Sequence, residues 1–197
     1  MPTNKTIDYY NLNARNFVSE TVSVEFEKMQ RRFTDKLEKN AKILDFGCGS
    51  GRDTKYFLSQ GYRVEAIDGS EELCKIASAY TGMKVKQMLF QELNEMNKYD
   101  GIWACSSILH LTADELKIVL KKMTEALKAG GIIYTSFKYG TFAGERSGRY
   151  FTDMTEDSFA ALIQNVKDLE IEEQWITSDV RPGRGMEKWL NLILRKK

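Results

Sequence analysis

A chain of 197 residues with 42% hydrophobic and 29% charged side chains has the length of one domain with a substantial core, and the composition of an ordinary globular protein. Lys and Arg total 29 against 28 Asp and Glu, and the net charge of +1 makes no demand for nucleic acid or an acidic membrane surface as partner. No apolar run approaches the ~20 residues that span a bilayer, no apolar leader opens the chain, and a cytoplasmic protein, monomer or homodimer, is expected. Cys48, Cys74 and Cys105 are too few and too scattered for a disulfide framework or a metal site, and read as reduced small hydrophobes.

Ile7, Tyr10, Ala14, Phe17 and Thr21 recur at helical spacing, as do Phe26, Met29, Phe33 and Leu37, so two amphipathic helices precede the first strand. The apolar run Ile43-Leu44 then carries Asp45 at its end and breaks into Gly47, Gly49 and Gly51 before a helix from Arg52 to Gln60. Strand, glycine turn and helix in that order open an α/β site for a nucleotide-type ligand: glycine admits left-handed backbone and lets a ligand approach, and a helix N-terminus offers unpaired N–H groups. The spacing Asp-x-Gly-x-Gly-x-Gly puts Arg52 where a dinucleotide fingerprint needs its third small residue, and an acid beside the turn suits a ligand with a cationic amino group better than a pyrophosphate.

Tyr62–Asp68 reads as the second strand, followed by a helix capped by Ser70 with Leu73, Ile76, Ala77 and Tyr80 facing inward. Val85–Phe90 makes a third strand, Tyr99–Cys105 a fourth, and Thr112-x-x-Glu115 a capping box for a helix that ends near Gly130-Gly131. Ile132–Phe137 is the fifth strand, and residues 138–149 read as an irregular loop. Thr155 starts a helix, Leu169–Thr177 alternates as a strand, and a polar loop joins it to a last antiparallel strand, Trp189–Leu194. Strands alternating with helices imply a doubly wound sheet with helices on both faces.

The stretch ILDFGCGSGRD resembles motif I of the class I S-adenosylmethionine (SAM)-dependent methyltransferases, and YDGIWACSSILHL…LKAGGIIY follows the same family's strand, loop, helix and Gly-Gly strand. Finer wording (YY near the start, FKYG, GRYFTDMTE, WLN) resembles a bacterial subgroup of tellurite-resistance-like small-molecule methyltransferases. The resemblance implies a single Rossmann-like domain over 1–197, with a helical cap at 1–40 and a core at 41–197. Its sheet would be seven-stranded, ordered 3-2-1-4-5-7-6 with the final strand antiparallel. It implies SAM as cofactor, with S-adenosylhomocysteine (SAH) as product. The cofactor would be held by Asp45, Gly47, Cys48 and Gly49 at the turn, by Asp68 and Gly69 at the ribose, and by the backbone around Ala104 and Cys105 at the methionine part. Where the family commonly has an acid for the adenine amino group, this chain has Phe90 and Gln91. The segment with Tyr9 and Tyr10 either folds over the cofactor or only covers a sheet face.

Methyl transfer from a sulfonium is an in-line displacement on an activated carbon, so alignment alone can supply much of the rate. His110, the sole histidine, stands at the rim and is the candidate general base; a purely structural role is the alternative. Lys138, Arg146, Arg149, Arg181 and Arg184 on two rim loops point to an anionic small-molecule acceptor, with Tyr10, Arg149 and Arg181 as its contacts, or else are solvated charge partnered by Glu145, Asp179 and Glu187. The competing function is a SAM- or SAH-binding sensor or partner subunit without turnover. Ala104-Cys105-Ser106-Ser107 after the fourth strand is not the Asn-Pro-Pro-Tyr-type motif of nucleic-acid methylation.

Overall fold

A computed structural model describes residues 2–197. Helices α1 (Pro2–Thr21) and α2 (Glu27–Thr34) lead into β1 (Lys42–Phe46), α3 (Arg52–Ser59), β2 (Arg63–Asp68), α4 (Glu71–Thr81), β3 (Lys86–Gln87) and β4 (Tyr99–Ala104). Then follow α5 (Ala113–Ala126), β5 (Leu127–Lys138), β6 (Ala143–Arg146), β7 (Arg149–Thr152), α6 (Glu156–Ile163), β8 (Leu169–Ser178) and β9 (Lys188–Lys196). Seven strands form one sheet in the order β3-β2-β1-β4-β5-β9-β8, and β6 and β7 pair apart from it. β1 to β5 run parallel, whereas β9 is antiparallel to both β5 and β8. With the separate hairpin set aside, this is the order expected from the sequence.

The central strands are buried on both faces, which is why their residues read as apolar runs and not as alternation. Leu44, Ile102 and Ile133 point to the side covered by α5 and α6, where they meet Leu116, Leu120, Met123 and Phe159. Their neighbours Ile43, Trp103, Ile132 and Tyr134 point the other way, onto Met29, Phe33 and Phe57. Trp103 stacks on Tyr134 with ring centroids 4.0 Å apart. Fully buried rings such as Phe33 and Phe57 each contribute roughly 1.5–3 kcal/mol relative to exposure. Thr112 and Ser70 cap their helices as expected, each accepting from a backbone N–H of the first turn (3.3 Å from Glu115, 3.2 Å from Leu73).

Three local expectations are corrected. The third strand is only Lys86–Gln87, not Val85–Phe90, because Glu92 draws its carboxylate back to the Leu89 N–H (2.7 Å) and turns the chain into a short 3₁₀ helix at Phe90–Glu92. Residues 138–149 are not an irregular loop: β6 and β7 form a hairpin whose turn, Ser147-Gly148, has φ of 52° and 77°, the positive pair that matches strand twist. Tyr80 does not face inward; it is 39% exposed, and Lys55 Nζ lies over its ring at 4.0 Å.

Candidate functional site

At the carboxyl ends of β1, β2, β4 and β5 a deep cavity opens under α1, the place where doubly wound sheets hold ligands. Its floor is the glycine turn. Gly47, Gly49 and Gly51 all have positive φ, and Gly47 is required twice over, since a Cβ there would lie 2.5 Å from Cβ of Ser107. The N–H groups of Gly47 and Cys48 both donate to the Ile67 carbonyl (3.0 and 2.9 Å), which fastens the turn to β2. At the end of β2 the Asp68 carboxylate accepts from the backbone N–H of Gly49 and of Ser70, each at 2.9 Å. Burial raises its pKa, and those backbone donors hold the rise in check.

Asp45 is buried, accepts from Thr54 Oγ1 at 2.5 Å, and lies behind the residues that line the cavity. Burial, reinforced by nearby Asp53, pushes its carboxyl group well up. Asp53 is the acid that reaches the wall. Its two oxygens receive Arg52 Nε at 2.8 Å, Gln30 Nε2 at 2.6 Å and Trp103 Nε1 at 2.8 Å, with a second Arg52 nitrogen at 2.9 Å. Burial works against its charge, but the Arg52 guanidinium and these donors outweigh it and keep the group ionised. Arg52 itself lies over the Phe26 ring at 4.4 Å. Asp53 stood in plain view in GCGSGRD, yet only the burial of Trp103 and Gln30 around it reveals its place.

At the end of β4 Ala104 is fully buried, and Cys105, Ser106 and Ser107 line the cavity. Ser106 adopts φ of 52°, and its N–H donates to Ser136 Oγ at 2.9 Å; Ser107 Oγ donates to the Phe46 carbonyl at 2.6 Å. Cys48 and Cys105 line the cavity as protonated thiols, since burial pushes Cys105 up to about 12 and Cys48 well up too. On the β3 side Gly69, Phe90 and Gln91 form the wall, and Phe90 packs on Phe46 with centroids 4.7 Å apart. Gln91 Nε2 donates to Glu115 Oε1 at 3.3 Å, which fixes the amide orientation and leaves Gln91 Oε1 buried with no partner.

The roof and rim come from α1, β7 and the β8–β9 loop. Tyr150 N donates to Thr6 Oγ1 at 3.1 Å and Ser70 Oγ donates to Asn11 Oδ1 at 2.7 Å, so α1 is tied to the hairpin on one side and to α4 on the other. Tyr10, His110, Arg149 and Arg181 all face the cavity. Of the five rim cations, four have carboxylate partners: Lys138 and Arg184 pair with Glu187, Arg146 with Asp153 at 2.7 Å, and Arg181 with Asp179 at 2.5 Å. Arg149 pairs with no carboxylate among the described residues; it lies 4.4 Å over the Tyr9 ring and 5.2 Å from that of Phe151, with its Nε buried and unpartnered. A guanidinium so placed is a ready anion site. Of the two readings the sequence left open, partnered charge holds for four of the five cations, two of the partners being the expected Asp179 and Glu187, and an anion contact stays open for Arg149.

His110 Nδ1 lies 2.6 Å from the Tyr150 carbonyl, and Nε2 lies 2.8 Å from the Tyr10 hydroxyl. A carbonyl only accepts, so Nδ1 carries the hydrogen and Nε2 the lone pair. Burial, with Arg149 adding to it, lowers the pKa of His110 to about 4, so the ring is neutral. Among the described residues no group of His, Cys, Asp and Glu is arranged to hold a metal ion, and no helix is long and apolar enough to cross a membrane.

This fold, with the glycine turn under a covered cavity, is the fold of the class I methyltransferases. Residues 43–131 match the family model of the methyltransferase domain. An uncharacterised methyltransferase of Staphylococcus carnosus is 24% identical over 80% of this chain and 80% of its own length. The N-terminal Xaa-Pro-Lys N-methyltransferase 1 of Xenopus tropicalis is 34% identical over 48% of this chain and 46% of that protein, so the chain spans about half of that relative. The crystal structure of the 1,6-didemethyltoxoflavin-N1-methyltransferase of Burkholderia thailandensis, with 1,6-didemethyltoxoflavin and SAH bound, superposes with a TM-score of 0.78 at 23% identity, covering all of this chain and 88% of the other.

Proposed function

We propose that this chain is a SAM-dependent methyltransferase that moves the methyl group to a small anionic acceptor. The observation that carries the reading is one continuous cavity that runs from the glycine turn and Asp68 to the unpaired guanidinium of Arg149, roofed by α1. The residues present suit the cofactor. Gly47 leaves backbone bare where a side chain would collide, and Asp68 retains acceptor capacity for ribose hydroxyls beyond its two backbone donors. Gln91 offers a buried acceptor without a partner to an adenine amino group, in the role the family commonly gives to an acid. Cys105 and Ser106 put backbone at the methionine end.

SAM supplies an activated methyl carbon; this chain's residues hold it, orient an acceptor and exclude water, which is sufficient for a proximity-driven displacement. Acceptors of the relatives differ, a peptide N-terminus in one name and a heterocycle in another, so the acceptor class here rests on the rim. Arg149 favours a carboxylate or comparable anion. Tellurite-resistance-like acceptors, the chalcogen oxyanions, belong to that class and to the panel below.

Calorimetry with SAM, SAH and NAD should show binding of the first two and none of the third. Labelled SAM incubated with small carboxylic acids, amines and chalcogen oxyanions should give a methylated product from an anionic member. Tight SAH binding with no product from any of them would favour a non-catalytic sensor.

A further inference from the structure

The polar chain across the cavity roof has only one possible direction. A guanidinium can only donate, so Arg149 donates to the Tyr10 oxygen (3.3 Å); the Tyr10 hydroxyl donates to His110 Nε2 (2.8 Å); His110 Nδ1–H donates to the Tyr150 carbonyl (2.6 Å). In this arrangement His110 has no free nitrogen with which to meet a substrate. Tyr10, by contrast, lines the cavity, and its oxygen keeps a lone pair.

We propose that Tyr10 is the catalytic residue that meets the methyl acceptor, and that it passes a proton from a protic acceptor, a hydroxyl or N–H group, to His110. The proposal rests on the methyltransferase reading and narrows its acceptor class. The acceptor's lone pair forms the bond to the methyl carbon while the carbon–sulfur bond breaks with its electron pair left on sulfur. The acceptor proton moves to the Tyr10 oxygen as the Tyr10 proton moves to Nε2, and His110 ends as an imidazolium held through Nδ1 by the Tyr150 carbonyl. One positive charge leaves the sulfonium and one arrives on His110, so the charge of the closed site is unchanged. That balance makes a histidine of low basicity workable, because the acceptor becomes strongly acidic only as it gains the methyl group. Before transfer, burial keeps the ring unprotonated down to about pH 4. The charged and titratable groups facing this pair are Arg149 on β7, Tyr9 on α1 and, beyond Tyr10, Asp68 at the end of β2.

The ring packing of Tyr10 against Phe17 and Tyr9, at 5.2 and 5.6 Å, survives in Tyr10→Phe, so α1 should stay docked and SAH affinity should hold. The test uses hydroxybenzoate and aminobenzoate as protic acceptors and selenite as an acceptor with no proton to lose at its attacking lone pair. With a protic acceptor, kcat should fall roughly 100-fold in Tyr10→Phe and in His110→Gln, with KM little changed. The wild-type rate should drop near pH 4 as His110 protonates, and that acid limb should vanish in His110→Gln; a merely structural histidine would not move it. Because the chain has one histidine, its ring nitrogens can be read by NMR without assignment, and the Nδ1–H tautomer should persist from neutrality to near pH 4. Wild-type turnover of a protic acceptor with an unchanged kcat in Tyr10→Phe, or an Nε2–H tautomer, overturns the relay and leaves the methyltransferase reading standing. Turnover of selenite alone also overturns it. No product from any acceptor overturns the methyltransferase reading, and the relay with it.

Discussion

Two walls of the same cavity are made by different kinds of contact. On the floor, Gly47, Gly49 and Asp68 belong to consecutive strand–turn–helix units, and what joins them is backbone N–H donating to a carbonyl or carboxylate at 2.9–3.0 Å. On the roof, Tyr10 reaches His110 across 100 residues of sequence and Arg149 across 139, through side chains alone. Of the floor's acids only Asp68 keeps acceptor capacity: Asp53 is saturated by four donors and Asp45 is sealed by Thr54. The roof keeps spare capacity, in the lone pair of Tyr10 and the unpaired Arg149. Local backbone geometry builds the cradle, and long-range side-chain contacts build the roof, where the proposed acceptor would sit.

The largest expected effect lies on the floor. Gly47→Ala would force Ala into φ of +88° and put its Cβ 2.5 Å from Ser107. The strain alone costs about 1–2 kcal/mol, and the displaced turn should cost at least ~100-fold in SAH affinity by calorimetry, equivalent to about 2.8 kcal/mol. Gly61→Ala is the control: φ is +84° there, but no atom lies within 4 Å of the new Cβ. It should lower stability by about 1 kcal/mol and leave SAH affinity alone. Equal affinity losses in the two would mean that backbone strain, not the close approach at Gly47, governs the cradle.

A middle-sized effect separates two arginines on the roof. Arg181 is held by Asp179, whose carboxyl is drawn down to about 2, burial being outweighed by hydrogen bonds from Arg181 and by its charge. Arg149 has rings around it and one long hydrogen bond to the Tyr10 oxygen (3.3 Å), but no carboxylate among the described residues. Arg149→Met should therefore raise KM for an anionic acceptor by ~10–100-fold, the value of a charged hydrogen bond of about 1.5–3 kcal/mol. Arg181→Met should change it less than ~3-fold, because a neutralised guanidinium has little left to offer. Similar effects from both would show that the Asp179 pair opens when substrate binds.

How far the sequence could be read follows the same division. The turn, the Ser70 and Thr112 caps and the place of Asp68 at a strand end are written in local spacing, while the strand order comes from the family resemblance, and the structure has all of them as expected. The burial of Asp45 and Ala104 is not legible, because spacing along one strand does not reveal how deep a side chain lies. The hairpin at Ala143–Thr152 escaped notice because two four-residue strands around Ser-Gly show too little periodicity. Asp179 and Glu187 are legible as partners of the rim cations because they share a polar loop with Arg181 and Arg184, whereas Asp153 is not, because it meets Arg146 only once the hairpin has formed.

The smallest expected effect tests whether the floor holds a second spare acceptor beside Asp68. Gln91 Oε1 is buried and unpartnered, while its amide nitrogen is spent on Glu115 at 3.3 Å. Gln91→Leu removes the acceptor and keeps the volume, so SAH affinity should fall ~5–10-fold, near the ~1 kcal/mol of one hydrogen bond, with no change in KM for the acceptor. Stability without ligand should fall by no more than about 0.5–1.5 kcal/mol, the value of the hydrogen bond to Glu115 that is lost with the amide, since the unsatisfied oxygen contributes nothing to the folded state. S-inosylhomocysteine sharpens the result: its hypoxanthine presents an oxygen where adenine presents an amino group, so the wild-type protein should bind it more weakly than SAH. Gln91→Leu should lose that preference. If the preference survives the substitution, the adenine edge is read elsewhere on the wall, by backbone near Phe90, and Asp68 is left as the floor's one spare acceptor.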